Sequence, residues 1–382
     1  MAKIESVAVC IARVPLDNAV TFSTRVVSAR EYCLVKVRST DGIEGVGYCY
    51  AVNTSGRLLS VAVTDLLGAR LIGEDSLRVE GLWQEMYQEA LLQGRTGAVM
   101  RALSAIDIAV WDLSARTARL PLYQYLGAVV KDRVPAYASG GYYLPGKTPA
   151  KLGEELAGYV RDGFTAVKMK TGRLSPGEEE ERVRAAREAI GRDVLLMLDA
   201  NNAWHDLPTA LRYMERFEPY DPYWIEEPFS PDDLENHARL AQRTRVTVAT
   251  GEIEAGRWRF KEMLDKGAAG ILQTDATVCG GVSEWRRIAA TAASYGVTVS
   301  PHAWHDVHVH LAASAPNAGY VEFMPDDHIV NFRRLIDRQL VAEKGDLLLP
   351  QTPGLGFGFD PAAVAKYGTV APGAEGVWQV VR

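Results

Sequence analysis

The sequence predicts an α/β barrel preceded by an α+β domain, and three observations carry the prediction. The first 50 residues alternate apolar and polar positions in the manner of an antiparallel meander. After Gly127, eight short apolar runs alternate with helical stretches, which implies parallel strands joined by crossover helices. Charged side chains recur at the ends of those runs, where a barrel assembles its site.

In chain order, IESVAVCIARVPL and EYCLVKVRSTDGIEGVGYCY read as strands, with Asp41 and Gly42 as a hairpin turn. From Arg57 to about Leu126 the spacing becomes helical. The clearest stretch is VMRALSAIDIAVWDLSARTA, where apolar residues recur at three and four without Gly or Pro. The barrel runs are VPAYASG, TAVKMKTG, VLLMLDANN, YWIEEP, VTVATGE, GILQTDA, TVSPHAW and YVEFM, separated by helical patterns such as PAKLGEELAGYVRDG. A doubly wound open sheet calls for a Gly-rich turn after its first strand, which ASGGYYLPG does not supply. From Leu340 strand and turn character returns, and this tail is expected to pack on the first domain. The expected division is residues 1–126, a barrel over 127–339 and a returning segment over 340–382.

With 47% hydrophobic and 24% charged residues, the 382-residue chain has the make-up of a globular protein with room for two units. A net charge of −6, with no like-signed block longer than residues 178–181, leaves no footprint for nucleic acid or an anionic membrane. No run approaches roughly 18 apolar residues and the N-terminus lacks a signal-peptide core, so a cytoplasmic protein is expected. Cys10, Cys33, Cys49 and Cys279 show no metal spacing and are expected as reduced thiols.

The chemistry lies at the strand ends. Asp199, Glu226 and Glu252 end three adjacent runs and should converge on one side of the barrel mouth, offering hard oxygen ligands that suit Mg²⁺. Pairing with basic side chains or helix capping is the competing reading. In VKMKTG, Lys168 and Lys170 stand two apart on a strand, hence on one face, the barrel interior. Neighbouring cations lower one another's pKa, so Lys170 is expected as a neutral base and Lys168 as the charged partner of a substrate carboxylate. Asp275 and His302 end the sixth and seventh runs and form a dyad in which the carboxylate holds the Nδ1 proton and aims Nε2 at substrate. The second and seventh strands lie across the barrel from one another, so Lys170 and His302 address opposite faces of one carbon. His302, His305, His308 and His310 superficially offer a zinc site, but His308 and His310 do not share a helix face and no HExxH accompanies them.

Taken in order, VKMKTG, LDANNAW, WIEEP, ATGE, LQTDATVCGG and SPHAW resemble the mandelate racemase subgroup of the enolase superfamily over nearly the whole chain. Thr274 stands where that family usually carries Pro. The resemblance implies a modified TIM barrel, (β/α)7β, under an α+β capping domain. It implies Mg²⁺ on Asp199, Glu226 and Glu252, and catalysis by Lys170 with the His302 and Asp275 pair. It further implies that Asn201 contacts substrate, and that a protonated Glu322, with Lys168, stabilises a carboxylate or enediolate oxygen.

A small-molecule carboxylate substrate and a homo-oligomer are expected on the same grounds. Within the subgroup the commoner reaction is dehydration of an acid sugar (an aldonate, uronate or aldarate) to a 2-keto-3-deoxy acid; racemisation or epimerisation of a 2-hydroxy acid is the alternative. Thr21, Ser23, Thr24, Arg25, Asn53, Tyr137, Tyr142, Tyr143 and His305 offer polar groups suited to hydroxyls. Residues 19–28 and 52–57 are the loops expected to close over the barrel mouth. A muconate-type cycloisomerase or a dipeptide epimerase needs a lysine where Asp275 stands. A catalytically silent scaffold should have lost a ligand or base, and none is lost.

Overall fold

The computed structural model describes residues 2–51, 54–326, 328–371 and 375–382. Strands β1 (Ile4–Thr21), β2 (Val26–Ser39) and β3 (Glu44–Tyr50) form an antiparallel sheet. Pairing of β1 with β2 is irregular between Pro15 and Val20 and then resumes to Thr21 opposite Val26; Pro15 has no N–H to give the ladder. The strands therefore extend through most of the region expected as a loop over 19–28.

The helix Gly97–Thr117 lies on this sheet, buried continuously from Ala102 to Ala115. Gly45 and Gly47 permit the approach, since a Cβ on either would stand 2.2 Å from a helix carbonyl oxygen, of Ala109 or Ala105. The helix's other side faces the barrel. Asp107 accepts hydrogen bonds from Ser283 N and Oγ, at 2.9 and 2.7 Å, and Trp111 Nε1 donates to Ser283 Oγ at 2.8 Å. A helix covered on two sides has no need of a solvated polar face, which accounts for its unbroken burial.

The barrel strands are β4 (Arg133–Ser139), β5 (Ala166–Lys170), β6 (Leu195–Asp199), β7 (Pro222–Glu226), β8 (Thr247–Thr250), β9 (Ile271–Leu272), β10 (Thr298–Val299) and β11 (Val321–Phe323). They pair in parallel in sequence order, and β11 pairs with β4. Gly319 N donates to Val299 O at 2.8 Å and closes the ring beside β10. Helices follow each of the first seven strands, giving (β/α)7β. Tyr137, Met197, Trp224, Ala249 and Ile271 fill the barrel interior below the mouth, as side-chain layers do in such barrels.

The tail joins the first sheet later than residue 340. Strands β12 (Ala342–Glu343) and β13 (Asp346–Leu348) form a hairpin, and β13 pairs antiparallel with Arg133 to Pro135 of β4. That stretch extends past the part of β4 that β5 and β11 cover, so the hairpin protects an otherwise open edge. Among the described residues of the tail, β14 (Gly368–Thr369) and β15 (Gln379–Val381) are the strands that pair with β1. Aromatic packing fixes the first sheet over the barrel mouth: Tyr48 stacks on Phe332 at 3.7 Å, and Tyr48 and Tyr50 lie 5.9 and 5.5 Å from Trp304. Among the described residues no helix is long and apolar enough to cross a membrane.

Candidate active site

Strand alternation sends Lys168 and Lys170 of β5, Asp199 of β6 and Glu226 of β7 into the barrel interior. Lys168 is fully buried, with Nζ 2.6 Å from Glu226 Oε1, 2.9 Å from Glu322 Oε1 and 3.9 Å from Asp199 Oδ2. Lys170 Nζ is ion-paired with Asp199 Oδ2. Asp199 also accepts from Asn201, at Oδ1 from the backbone N at 2.9 Å and at Oδ2 from Nδ2 at 3.1 Å. Trp224, one layer down on the same strand as Glu226, donates its Nε1 proton to Glu226 Oε2 at 3.1 Å.

On the opposite side, His302 Nδ1 lies 2.9 Å from Asp275 Oδ2, and Nε2 lies 3.4 Å from Glu252 Oε1. Asp275 is further held by Trp304 Nε1 at 3.0 Å and by the backbone N of Thr277 at 2.7 Å. Glu322 Oε2 accepts from Ala303 N at 2.7 Å. Ala303 and Trp304 have φ of +47° and +35°, a left-handed pair that bends the chain after His302.

One cavity between the first sheet and the barrel mouth, about 120 Å³ in volume, is lined by Lys170, His302, Asp275, Glu252, Glu322 and Asn201. Thr24, Arg25 and Tyr142 line it as well. The turn between β1 and β2 is tied down over it, with Ser23 Oγ donating to Thr171 O and Thr24 Oγ1 donating to Asn201 O at 3.2 Å. Thr21 bridges to Tyr143, whose hydroxyl is bonded to Glu179 outside the cavity lining. Tyr137 is buried below Lys168, whose Nζ lies 5.3 Å from its ring, and it does not reach the cavity. His305 likewise lies off it, buried with its ring 4.9 Å from Phe323. Asn53 lies outside the described residues. Lys168 and Asp199 stand beneath the lining rather than in it.

The electrostatics differ from the simplest expectation. Burial lowers the Lys170 pKa, but Asp199 outweighs it and holds the group above its ordinary value, so here Lys170 is an ammonium rather than a neutral base. Lys168 is likewise opposed by burial and raised by Glu226 and Glu322. Glu322 is held low, because Lys168 and His302 outweigh its burial, and it is ionised rather than protonated. Burial lowers the His302 pKa too, but Glu252 and Asp275 bring it up to about 10.

Glu227 is a residue the sequence reading passed over. Strand alternation points it away from the interior, but φ of +42° turns it back, and it lines the cavity beside Glu252. Burial and then Glu252 push its pKa well above the ordinary value. The doubled acid in WIEEP was the available signal.

Among the described residues no three His, Cys, Asp or Glu side chains already stand together as a metal cluster; Asp199 and Glu226 each hold a lysine instead. Even so, Glu227 Oε1, Glu252 Oε2 and Asn201 Oδ1 are buried without a hydrogen-bond partner. Glu226 is pushed up by burial and by Asp199. An all-oxygen, electronegative set with unsatisfied atoms fits a hard divalent cation.

The comparisons agree with this architecture. Residues 4–127 match the model described as the mandelate racemase / muconate lactonizing enzyme N-terminal domain, and residues 151–363 match that of the enolase C-terminal domain-like family. A 3,6-anhydro-alpha-L-galactonate cycloisomerase from Streptomyces coelicolor is 34% identical, over 94% of this chain and 97% of its own. The L-talarate/galactarate dehydratase of Salmonella typhimurium is 33% identical over 93% and 88%. A racemase from Streptomyces coelicolor, solved with bound magnesium, superposes with a TM-score of 0.90 at 33% identity, covering 96% of this chain and all of that one.

Proposed function

This chain belongs to the mandelate racemase subgroup of the enolase superfamily, and we propose that within it the protein removes the proton α to the carboxylate of an acid sugar and dehydrates it to a 2-keto-3-deoxy acid. The observation that carries this reading is that Lys170 and a carboxylate-backed His302 line the same cavity from opposite sides of the barrel. Dehydratases among the relatives and magnesium in a similar structure support it.

Asp199, Glu226 and Glu252 would hold Mg²⁺, with Glu227 beside them. When bound, the ion supplies positive charge that stabilises the enediolate dianion and lowers the barrier to losing a very weakly acidic proton. The chain's own groups do the rest. Burial and Lys168 favour the neutral amine of Lys170, while Asp199, Tyr142 and Glu226 oppose it; with Asp199 and Glu226 committed to the ion that opposition would weaken, and Lys170 is the residue placed to take the α-proton. The Cα–H electron pair passes into the enediolate, whose collapse breaks the β-carbon–oxygen bond. His302, held protonated by Asp275, donates its Nε2 proton to the departing hydroxyl, and the resulting enol tautomerises to the keto acid. Lys168 is placed to balance charge at Glu226 and Glu322. The first sheet and its turn at residues 22–25 exclude water.

An isomerase outcome from the same enediolate is the second reading, favoured by the cycloisomerase relative. A Mg²⁺-supplemented screen of aldonic, uronic and aldaric acids, with an EDTA-treated control, separates the two. Metal-dependent keto acid from one or two diastereomers is the expected result. No keto acid across the set, together with altered optical rotation or ring formation, replaces the dehydratase with the isomerase.

A further inference from the structure

The roof of the cavity carries a feature that the α-proton chemistry does not use. The lining residues contributed by the first domain include three arginines, Arg25, Arg30 and Arg101, and no acid. Every lining carboxylate comes from the barrel side. The cavity is thus polarised, with carboxylates, Lys170 and His302 at its floor and guanidinium groups above.

Arg30 is the decisive member. Only two arginines among the described residues are buried, Arg30 and Arg182. Arg182 has Glu179 at 3.2 Å. Arg30 has no carboxylate partner among the described residues; its Nε donates to Ile329 O at 2.7 Å, and its guanidinium lies 5.2 Å from the Tyr50 ring and 6.0 Å from the Phe22 ring. A buried cation with no counter-ion is costly unless an anion reaches it. Arg101, half-buried on the helix Gly97–Thr117, donates to Tyr50 O at 3.1 Å and also lacks a carboxylate partner among the described residues. The Phe22 ring links the two ends of the cavity, since Lys170 Nζ lies 5.6 Å from its centroid. A chain of a few carbons with one acid group near Lys170 brings a second acid group to the arginines.

We infer that Arg30 and Arg101, with Arg25 at the rim, form a subsite for a second carboxylate, and that the substrate is an aldaric acid with a carboxylate at each end. This rests on the acid-sugar reading above. The planar guanidinium forks suit a carboxylate better than a terminal hydroxymethyl group, which cannot balance their charge.

Calorimetric titration in the presence of Mg²⁺ tests this without requiring turnover. Six-carbon aldaric acids are compared with aldonic acids of matched configuration, for example galactarate with galactonate and glucarate with gluconate. The wild type should bind its preferred aldarate at least about tenfold more tightly than the matched aldonate. Arg101→Met should cut that ratio at least about fivefold, and Arg30→Lys should retain more of it than Arg30→Met, with thermal unfolding used to verify each fold. If Arg30→Met does not fold, Arg101→Met still decides. Equal affinities, tighter aldonate binding, no binding of either class, or an unchanged ratio in the folded variants overturns the subsite. A binding preference that persists without keto acid formation upholds the subsite and removes the dehydratase reading; keto acid from aldonates and aldarates alike, with equal affinities, does the reverse.

Discussion

Asp275 holds the imidazole of His302 by its Nδ1, at 2.9 Å, leaving Nε2 free to face Glu252 and the cavity. Asp275 is itself fixed by Trp304 and by the backbone of Thr277, so it cannot swing away from the ring. The dyad therefore orients the acid and also helps keep it charged, since Asp275 raises the His302 pKa both through its hydrogen bond and through its charge, alongside Glu252.

Replacing Asp275 with Asn should thus lower the His302 pKa. An imidazolium that must give up a proton is available below its pKa and lost as pH rises through it. The alkaline limb of the kcat profile is expected to move to lower pH in Asp275→Asn, with kcat reduced at least about 100-fold. An unmoved limb would show that Asp275 does not set the state of His302.

Glu252 carries an unpartnered buried oxygen, and Glu252→Gln should weaken Mg²⁺ binding at least about tenfold. Metal-dependent shifts in unfolding temperature of the EDTA-stripped protein measure this directly. A variant that binds the ion as the wild type does would remove Glu252 from the ligand set.

His310 offers a test of stability rather than activity. It accepts from Tyr123 N at 3.2 Å through Nδ1, and Nε2 lies 3.1 Å from Leu355 O, so the neutral ring ties the barrel to the 350s loop. Burial lowers its pKa from 6.5 to about 4. With the folded value depressed, its contribution is present above pH 6.5 and is lost as pH falls through about 4, amounting to about 3 kcal/mol. Denaturation followed between those pH values should show a shallower loss for His310→Gln than for wild type.

The barrel was legible because its strands, buried on both sides, read as apolar runs ending in charge. Asp275 and His302 were found as a pair for the same reason, each ending its own strand. Glu227 was not, because a single residue with positive φ reverses the face that alternation assigns. Arg30 sits within AREYCLVKV and reads as an ordinary charged strand position; its burial depends on Tyr50, Phe22 and the loop at Ile329, none adjacent in sequence. The ammonium at Lys170 and the ionised Glu322 differ from the expectation because mutual repulsion of two lysines leaves out the carboxylates that surround them. The hairpin at β12 and β13 was assigned to the wrong partner because the open edge of β4 appears only once the barrel has closed.

Exchange of the substrate α-proton in deuterated water, followed by proton NMR in wild type, Lys170→Ala and His302→Asn, is the most direct test of the central claim. The account predicts Mg²⁺-dependent turnover with solvent-derived label in the wild type, with exchange lost in Lys170→Ala and dehydration lost in His302→Asn. Full exchange and full turnover in either variant would contradict it.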